Sequence, residues 1–180
     1  MKPLLLIAVA TLCLASTEPR VSRNSIVLVE NSINEKFASY SADPYVVLGN
    51  ARGTYLEGYG ALFTVELDLI NTGPLNPNPF KQNPITPQEV ATTRERKLKK
   101  LAILRENMRS IMVNAGGTLE GLPPNERVAI EAVLLYNSWE ESRGMPRRLF
   151  MSAEKQKLLA TRVAHAGQPE LSAIIEEQER

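Results

Sequence analysis

From Phe63 to Leu69 the chain alternates with little ambiguity. Phe63, Val65, Leu67 and Leu69 are apolar, and Thr64, Glu66 and Asp68 between them are polar. A period of two over such a run specifies a strand with one face in a core and the other outside it. A strand of this kind needs partners, and the residues before it supply one. Tyr45–Leu48 reads as a strand, Asn50–Gly53 as a turn, Thr54–Leu56 as a short strand, and Gly58–Gly60 as a bulge or kink entering the long strand. The glycines have two open readings. They serve hairpin geometry alone, or they present Arg52, Gly53, Tyr55, Gly58, Tyr59 and Gly60 to a ligand, with glycine amides facing an anion. They are not a dinucleotide fingerprint, because the spacing differs and a strand follows where a helix is required.

The helices are legible from a second period. Ile26, Val29, Ile33, Phe37 and Tyr40 recur at three- and four-residue steps, predicting a helix over 25–41 that Asp43-Pro44 ends. Thr86-Pro87-Gln88-Glu89 carries a cap, a proline suited to the first turn and the acid of a capping box. The helix it opens is predicted to run to about Asn114 and to stop at Gly116-Gly117. Its apolar stripe is Leu98, Leu101, Leu104, Met108, Ile111 and Met112. Over 94–109 the same helix carries Arg94, Arg96, Lys97, Lys99, Lys100, Arg105 and Arg109, which reads either as a solvated face or as a surface for an anionic partner.

Between the long strand and the long helix, residues 71–87 hold five prolines and four asparagines, the composition of an extended connection. After the helix, Pro123-Pro124-Asn125 forms a turn and Arg127–Trp139 a second strand with apolar residues on both faces. A loop over 139–146 leads to a returning strand over 147–151. Ser152 is read as the cap of a last helix ending near Ala164, and the charged segment 166–180 as a flexible tail. Lone Trp139 is read as a packing residue at the rim of the sheet, with an aromatic platform as the other option.

The chain opens with Lys2 and an apolar run over Leu4–Leu14, followed by small residues around Ala15. Residues 1–15 thus read as a signal peptide, too short to span a bilayer. Cys13 is the only cysteine, so the mature chain would hold no disulfide and no thiol chemistry. Loss of Lys2 leaves 20 basic against 20 acidic residues, since the full chain has 21 and 20. That balance argues against nucleic acid as a partner. No later run is long enough for a transmembrane span in the mature chain.

Catalytic constellations are scarce. His165 is the sole histidine, which leaves no triad and no zinc ligand set. Ser152-Ala153-Glu154-Lys155 matches the S-x-x-K nucleophile motif, without its companion motifs. Glu66, Asp68 and Glu131 would form an acid–base or metal site only if adjacent strands brought them together. No catalytic residue, metal ligand or cofactor is assigned.

The run Gly53-x-Tyr55-x-x-Gly58-Tyr59-Gly60-x-x-Phe63-x-x-Glu66 resembles the signature of an uncharacterised family of secreted bacterial proteins. The likeness extends through Arg96–Met112, Gly121-Leu122-Pro123-Pro124 and Tyr136–Glu140. It implies export and a single domain, and no activity.

The expected architecture is α+β: one domain over 25–165, with a mainly antiparallel sheet of about four to five strands and the long helix packed on one face. The expected role is a non-catalytic, exported binding or assembly module of the cell envelope, periplasmic or secreted, meeting an envelope protein or a second copy of itself. A small-molecule or anion sensor using the Arg52–Gly60 hairpin is the alternative, and a hydrolase the third.

Overall fold

The computed structural model describes residues 21–39, 44–72, 85–164 and 167–180. The leader read over Met1–Ala15, most of the proline-rich connection and His165 lie outside them. Four helices and five strands occur among the described residues: α1 (Arg23–Ala38), β1 (Val46–Leu56), β2 (Gly60–Asp68), α2 (Pro87–Thr118), β3 (Arg127–Leu134), β4 (Arg148–Glu154), α3 (Lys155–Val163), α4 (Gln168–Ile174) and β5 (Glu176–Glu179).

The strands form one sheet in the order β1-β2-β3-β4-β5. Only β2 and β3 are parallel, and the other pairings are antiparallel. Parallel neighbours need a crossover rather than a hairpin, and the stretch containing α2 supplies it. The expected α+β fold, with a mainly antiparallel sheet and a long helix on one face, is the fold observed.

One face of the sheet carries the core. Phe63, Val65 and Leu67 lie level with Ile130, Ala132 and Leu134 of β3, and Ile130 and Ala132 with Met151 and Leu149 of β4. All are buried, together with Ile26, Val29, Ile33 and Phe37 of α1 and Leu101, Leu104, Met108, Ile111 and Met112 of α2. The alternation that identified β2 is this division between core and exterior.

The start of α2 follows its sequence signal. Glu89 N–H donates to the Thr86 hydroxyl oxygen (3.2 Å), and Thr86 N–H donates to the Glu89 carboxylate (2.7 Å). That backbone bond holds the Glu89 carboxyl below its ordinary pKa. At 32 residues the helix is about 48 Å long.

Its other end corrects the reading. The helix passes through Gly116-Gly117 and ends at Thr118. A Cβ at Gly116 would stand 3.2 Å from the Leu158 Cβ, and one at Gly117 would meet the Arg162 guanidinium. These glycines allow α3 to approach; they do not terminate α2. The inward stripe is also one residue off at its start. Leu98 is exposed, and Lys97 takes the buried position that leads on to Leu101 and Leu104.

Four more readings are corrected. Asn50–Gly53 is not a turn: β1 is continuous, with register shifts between Val47 and Gly49 and between Gly49 and Arg52. Its edge is tied to α1, because Asn34 Oδ1 accepts from Ala51 N–H (2.8 Å) and Glu30 Oε1 from Gly53 N–H (2.8 Å). Strand β3 stops at Leu134 rather than Trp139. Ser152 lies inside β4 and caps nothing; Met151 and Ala153 beside it turn to the core, and α3 begins at Lys155. The segment expected as a flexible tail folds into α4 and β5. Leu171 and Ile175 are buried, and β5 pairs with β4 while its acids meet cations elsewhere in the fold.

Candidate binding surface

The glycine-rich hairpin does not gather its residues into one site. Leu56 pairs with Gly60 across a turn of Glu57, Gly58 and Tyr59, with Gly58 at φ +76°. Alternation along β1 turns Gly53 and Tyr55 toward the helices and Arg52 to the opposite face. Gly53 packs against the Phe63 ring and Ile26, and Tyr59 sits exposed at the turn. An anion does face the Gly58 amide, but it belongs to the protein. Glu126 Oε1 accepts from Gly58 N–H and from the Tyr55 hydroxyl, each at 3.2 Å. Glu126 is 8% exposed, and its Oε2 has no hydrogen-bond partner among the described residues. Glu126→Ala is expected to cost about 1 kcal/mol and to speed hydrogen exchange at Gly58, because a turn amide and a half-buried phenol lose their charged acceptor. Amide exchange by NMR checks it, and unchanged protection at Gly58 would refute the tether.

A second polar centre, absent from the sequence reading, lies where the parallel strands end. The Lys97 ammonium meets Asp68 Oδ1 at 2.7 Å and Glu140 Oε2 at 2.5 Å. It stands 5.0 Å from the Tyr136 ring centroid, and the Tyr136 hydroxyl donates to the Pro146 carbonyl (2.8 Å). Lys97 is 1% exposed. Burial first, then the charges of Glu140 and Asp68, push the Tyr136 phenol up to about 12. The neutral phenol therefore favours the fold below pH 10, and that contribution is lost as pH rises from 10 toward 12. In an absorbance titration one tyrosine should ionise late, near pH 12, and Tyr136→Phe should remove that step. The sequence signal for this centre was the phase of Lys97, four residues before Leu101 in the buried stripe.

The remaining chemical readings dissolve into structural pairing. Lys155 does not reach Ser152 as a base. Its ammonium donates to the carbonyls of Leu119 (2.7 Å), Glu120 (3.2 Å) and Leu122 (2.8 Å) and ties the segment after α2 to the start of α3; burial pushes its pKa down. The Ser152 hydroxyl accepts from Arg127 (2.8 Å). Asp68 serves Lys97, Glu131 pairs with Arg148 (3.3 Å), and Glu66 is exposed. No three metal-ligating side chains cluster among the described residues.

The basic stretch of α2 is largely engaged by the protein itself. Arg94 donates to the Glu141 and Arg143 carbonyls (2.7 and 2.9 Å), Lys99 pairs with Glu95 (2.8 Å), and Lys100 lies over the Tyr45 ring. Arg105 and Arg109 meet Glu177 of β5 (2.8 and 2.9 Å). Among the described residues no helix is long and apolar enough to cross a membrane.

Among the described residues, the second face of the sheet is left open. All four helices lie on the core side. Arg52, Thr64, Glu131, Phe150 and Gln178 form one row across the other side, and Glu66, Val133 and Arg148 the next. Two clefts open on this face. One, of about 240 Å³, is lined by Gly49, Asn50, Arg52, Thr64 and Glu66. The other, of about 190 Å³, is lined by Glu131, Arg148, Phe150, Gln178 and Arg180. Of the six residues expected to bind a ligand, Arg52 lines one of these two clefts and the other five line neither.

No protein-family model, curated protein or solved structure matches this chain.

Proposed function

We propose that the protein is an exported, non-catalytic binding module that receives its partner on the open face of the sheet. The carrying observation is the contrast between that face and the rest of the molecule. The β1 edge donates to Asn34 and Glu30, the β5 edge is short and acidic, and the basic helix is engaged internally. The open face instead combines partly exposed Leu62, Val133 and Phe150 with two polar clefts. Apolar area rimmed by charged groups is the composition of recognition surfaces. Export is supported by the apolar leader over Leu4–Leu14, and the partner is proposed to be an envelope protein.

The test is capture from an envelope extract by the chain from Ser16 onward. Thr64→Arg places a long cation in the middle of the face, and Tyr59→Ala alters only the hairpin turn. Loss of the captured protein with Thr64→Arg and retention with Tyr59→Ala supports the reading. Retention with both removes the face as the working surface. A small-ligand sensor is the second reading, favoured by the cleft that contains Arg52; it requires a ligand-dependent rise in melting temperature that Arg52→Gln abolishes.

A further inference from the structure

We infer that the open face of the sheet packs against the same face of a second copy of this chain, with Arg52 of each copy meeting the partner's Glu66. This rests on the open face being the binding surface, and it names the protein that occupies that face.

Charges on this face differ in how they are answered. Glu131 is paired with Arg148, and Glu176 with Arg127. The side chains of Arg52 and Glu66 make no hydrogen bond or ion pair among the described residues. They stand on adjoining strands and line one cleft: Arg52 lies level with Thr64, and Glu66 is the next residue of β2 on the same side. A neighbouring cation and anion of this kind are complementary to themselves. A two-fold axis between them sets each cation on the other copy's anion, so one pair yields two reciprocal bridges. Thr64 lies between the two charges and falls next to that axis, against the partner's Thr64. A partner of one sign would answer one charge and cover the other unpaired, which is costly.

The apolar side chains of the face support a protein rather than a small ligand. Leu48, Leu56 and Leu135 are 48%, 46% and 44% exposed. Each follows a residue packed on or into the core, Val47, Tyr55 and Leu134, so alternation turns it to the open side. With half-buried Leu62, Val133 and Phe150 they leave apolar groups in water around the charged pair. The five strands, about 4.8 Å apart and mostly about 25 Å long, offer a face of about 600 Å². Two copies in full overlap bury about 1,200 Å², the lower end of specific interfaces. A contact at this limit gives a dimer that dissociates on dilution.

The experiment is sedimentation equilibrium of the chain from Ser16 onward and of charge-swap variants. The parent is expected at twice the monomer mass, falling to the monomer on dilution. Arg52→Glu and Glu66→Arg each set like charges across the contact twice, and each should raise the dimer Kd about hundredfold. Mixing these two variants should restore a dimer, because the acids of one meet the cations of the other. The double variant Arg52→Glu, Glu66→Arg should dimerise like the parent. Thr64→Arg should be monomeric, since it sets two cations against each other at the axis. Arg52 and Glu66 are exposed, so their variants fold, which parent-like amide spectra verify.

A parent that stays monomeric up to about 1 mM, single variants that dimerise as the parent does, or a mixture or double variant that stays monomeric would overturn the assignment. If it is overturned and Thr64→Arg still loses the captured envelope protein, the binding face stands and its occupant is a different protein. If Thr64→Arg retains that protein as well, the face itself falls.

Discussion

Lys97→Met is expected to lower the free energy of unfolding by about 3–5 kcal/mol, the cost of removing one partner from a buried ionic group. Lys97 is 1% exposed, and the side chains of Asp68 and Glu140 are 15% and 3% exposed. Methionine fills the aliphatic volume, so the loss is electrostatic rather than a cavity. Two carboxylates would then face each other without a cation. The centre also joins three parts of the fold: the end of β2, the first half of α2 and the loop after β3. Its loss should loosen the loop that Arg94 anchors from the same helix. Urea unfolding measures the change. The triple variant Lys97→Met, Asp68→Asn, Glu140→Gln should recover more than half of the loss, because neutral amides are cheaper to bury than unpaired charges. A single-variant loss below about 1 kcal/mol would mean that water reaches the carboxylates.

Gly60→Ala should be worse tolerated still. A Cβ there would stand 1.9 Å from the Arg127 carbonyl oxygen and 2.6 Å from its nitrogen, and the residue has φ +137°. Both contacts are with backbone, so no side chain can move aside. The clash falls on the first pair of the β2–β3 register, Gly60 with Arg127. Parallel pairing must shift along its first turn or break, and a loss above about 4 kcal/mol is expected. Gly58→Ala is the control. Gly58 also has positive φ, +76°, but a Cβ there would meet nothing within 4 Å. Its cost is conformational alone, about 1–2 kcal/mol. Melting temperature and soluble yield compare the two. Similar losses would show that backbone conformation, not the approach of β3, governs both positions.

The two glycines explain how far the candidate site was legible. Sequence spacing marks Gly53, Gly58 and Gly60 as places where the backbone does something unusual. It does not distinguish a ligand from another part of the same chain. Here the neighbours are Phe63 and Ile26, the Glu126 carboxylate, and the Arg127 backbone. Glu126 lies 68 residues from Gly58, beyond the reach of any local pattern. Arg52 and Tyr55 looked like one group because they are close in sequence, yet an odd separation along a strand sends them to opposite faces. The cleft at Glu131 escaped notice because part of its lining, Gln178 and Arg180, comes from the far end of the chain, and the one at Arg52 because the register that sets Arg52 beside Thr64 depends on the irregularities in β1. Arg148 and Arg180 meet only because the end of the chain returns as a strand.

By itself the sequence determined the periods: a half-buried strand at Phe63–Leu69, helices around Val29 and Leu104, and a capping box at Thr86. Each depends on residues within a turn or two, where sterics and local hydrogen bonds decide. Tertiary structure decided the ends and the pairings. It carried α2 through Gly116-Gly117, drew Ser152 into β4 and made a strand of Glu176–Glu179. In the last case ion pairs with Arg105, Arg109 and Arg127, together with backbone bonds to β4, hold four residues of low strand propensity in an extended conformation. Burial and long-range pairing outweigh local preference there, because local preferences are worth tenths of a kilocalorie per residue and a paired, sheltered edge is worth more.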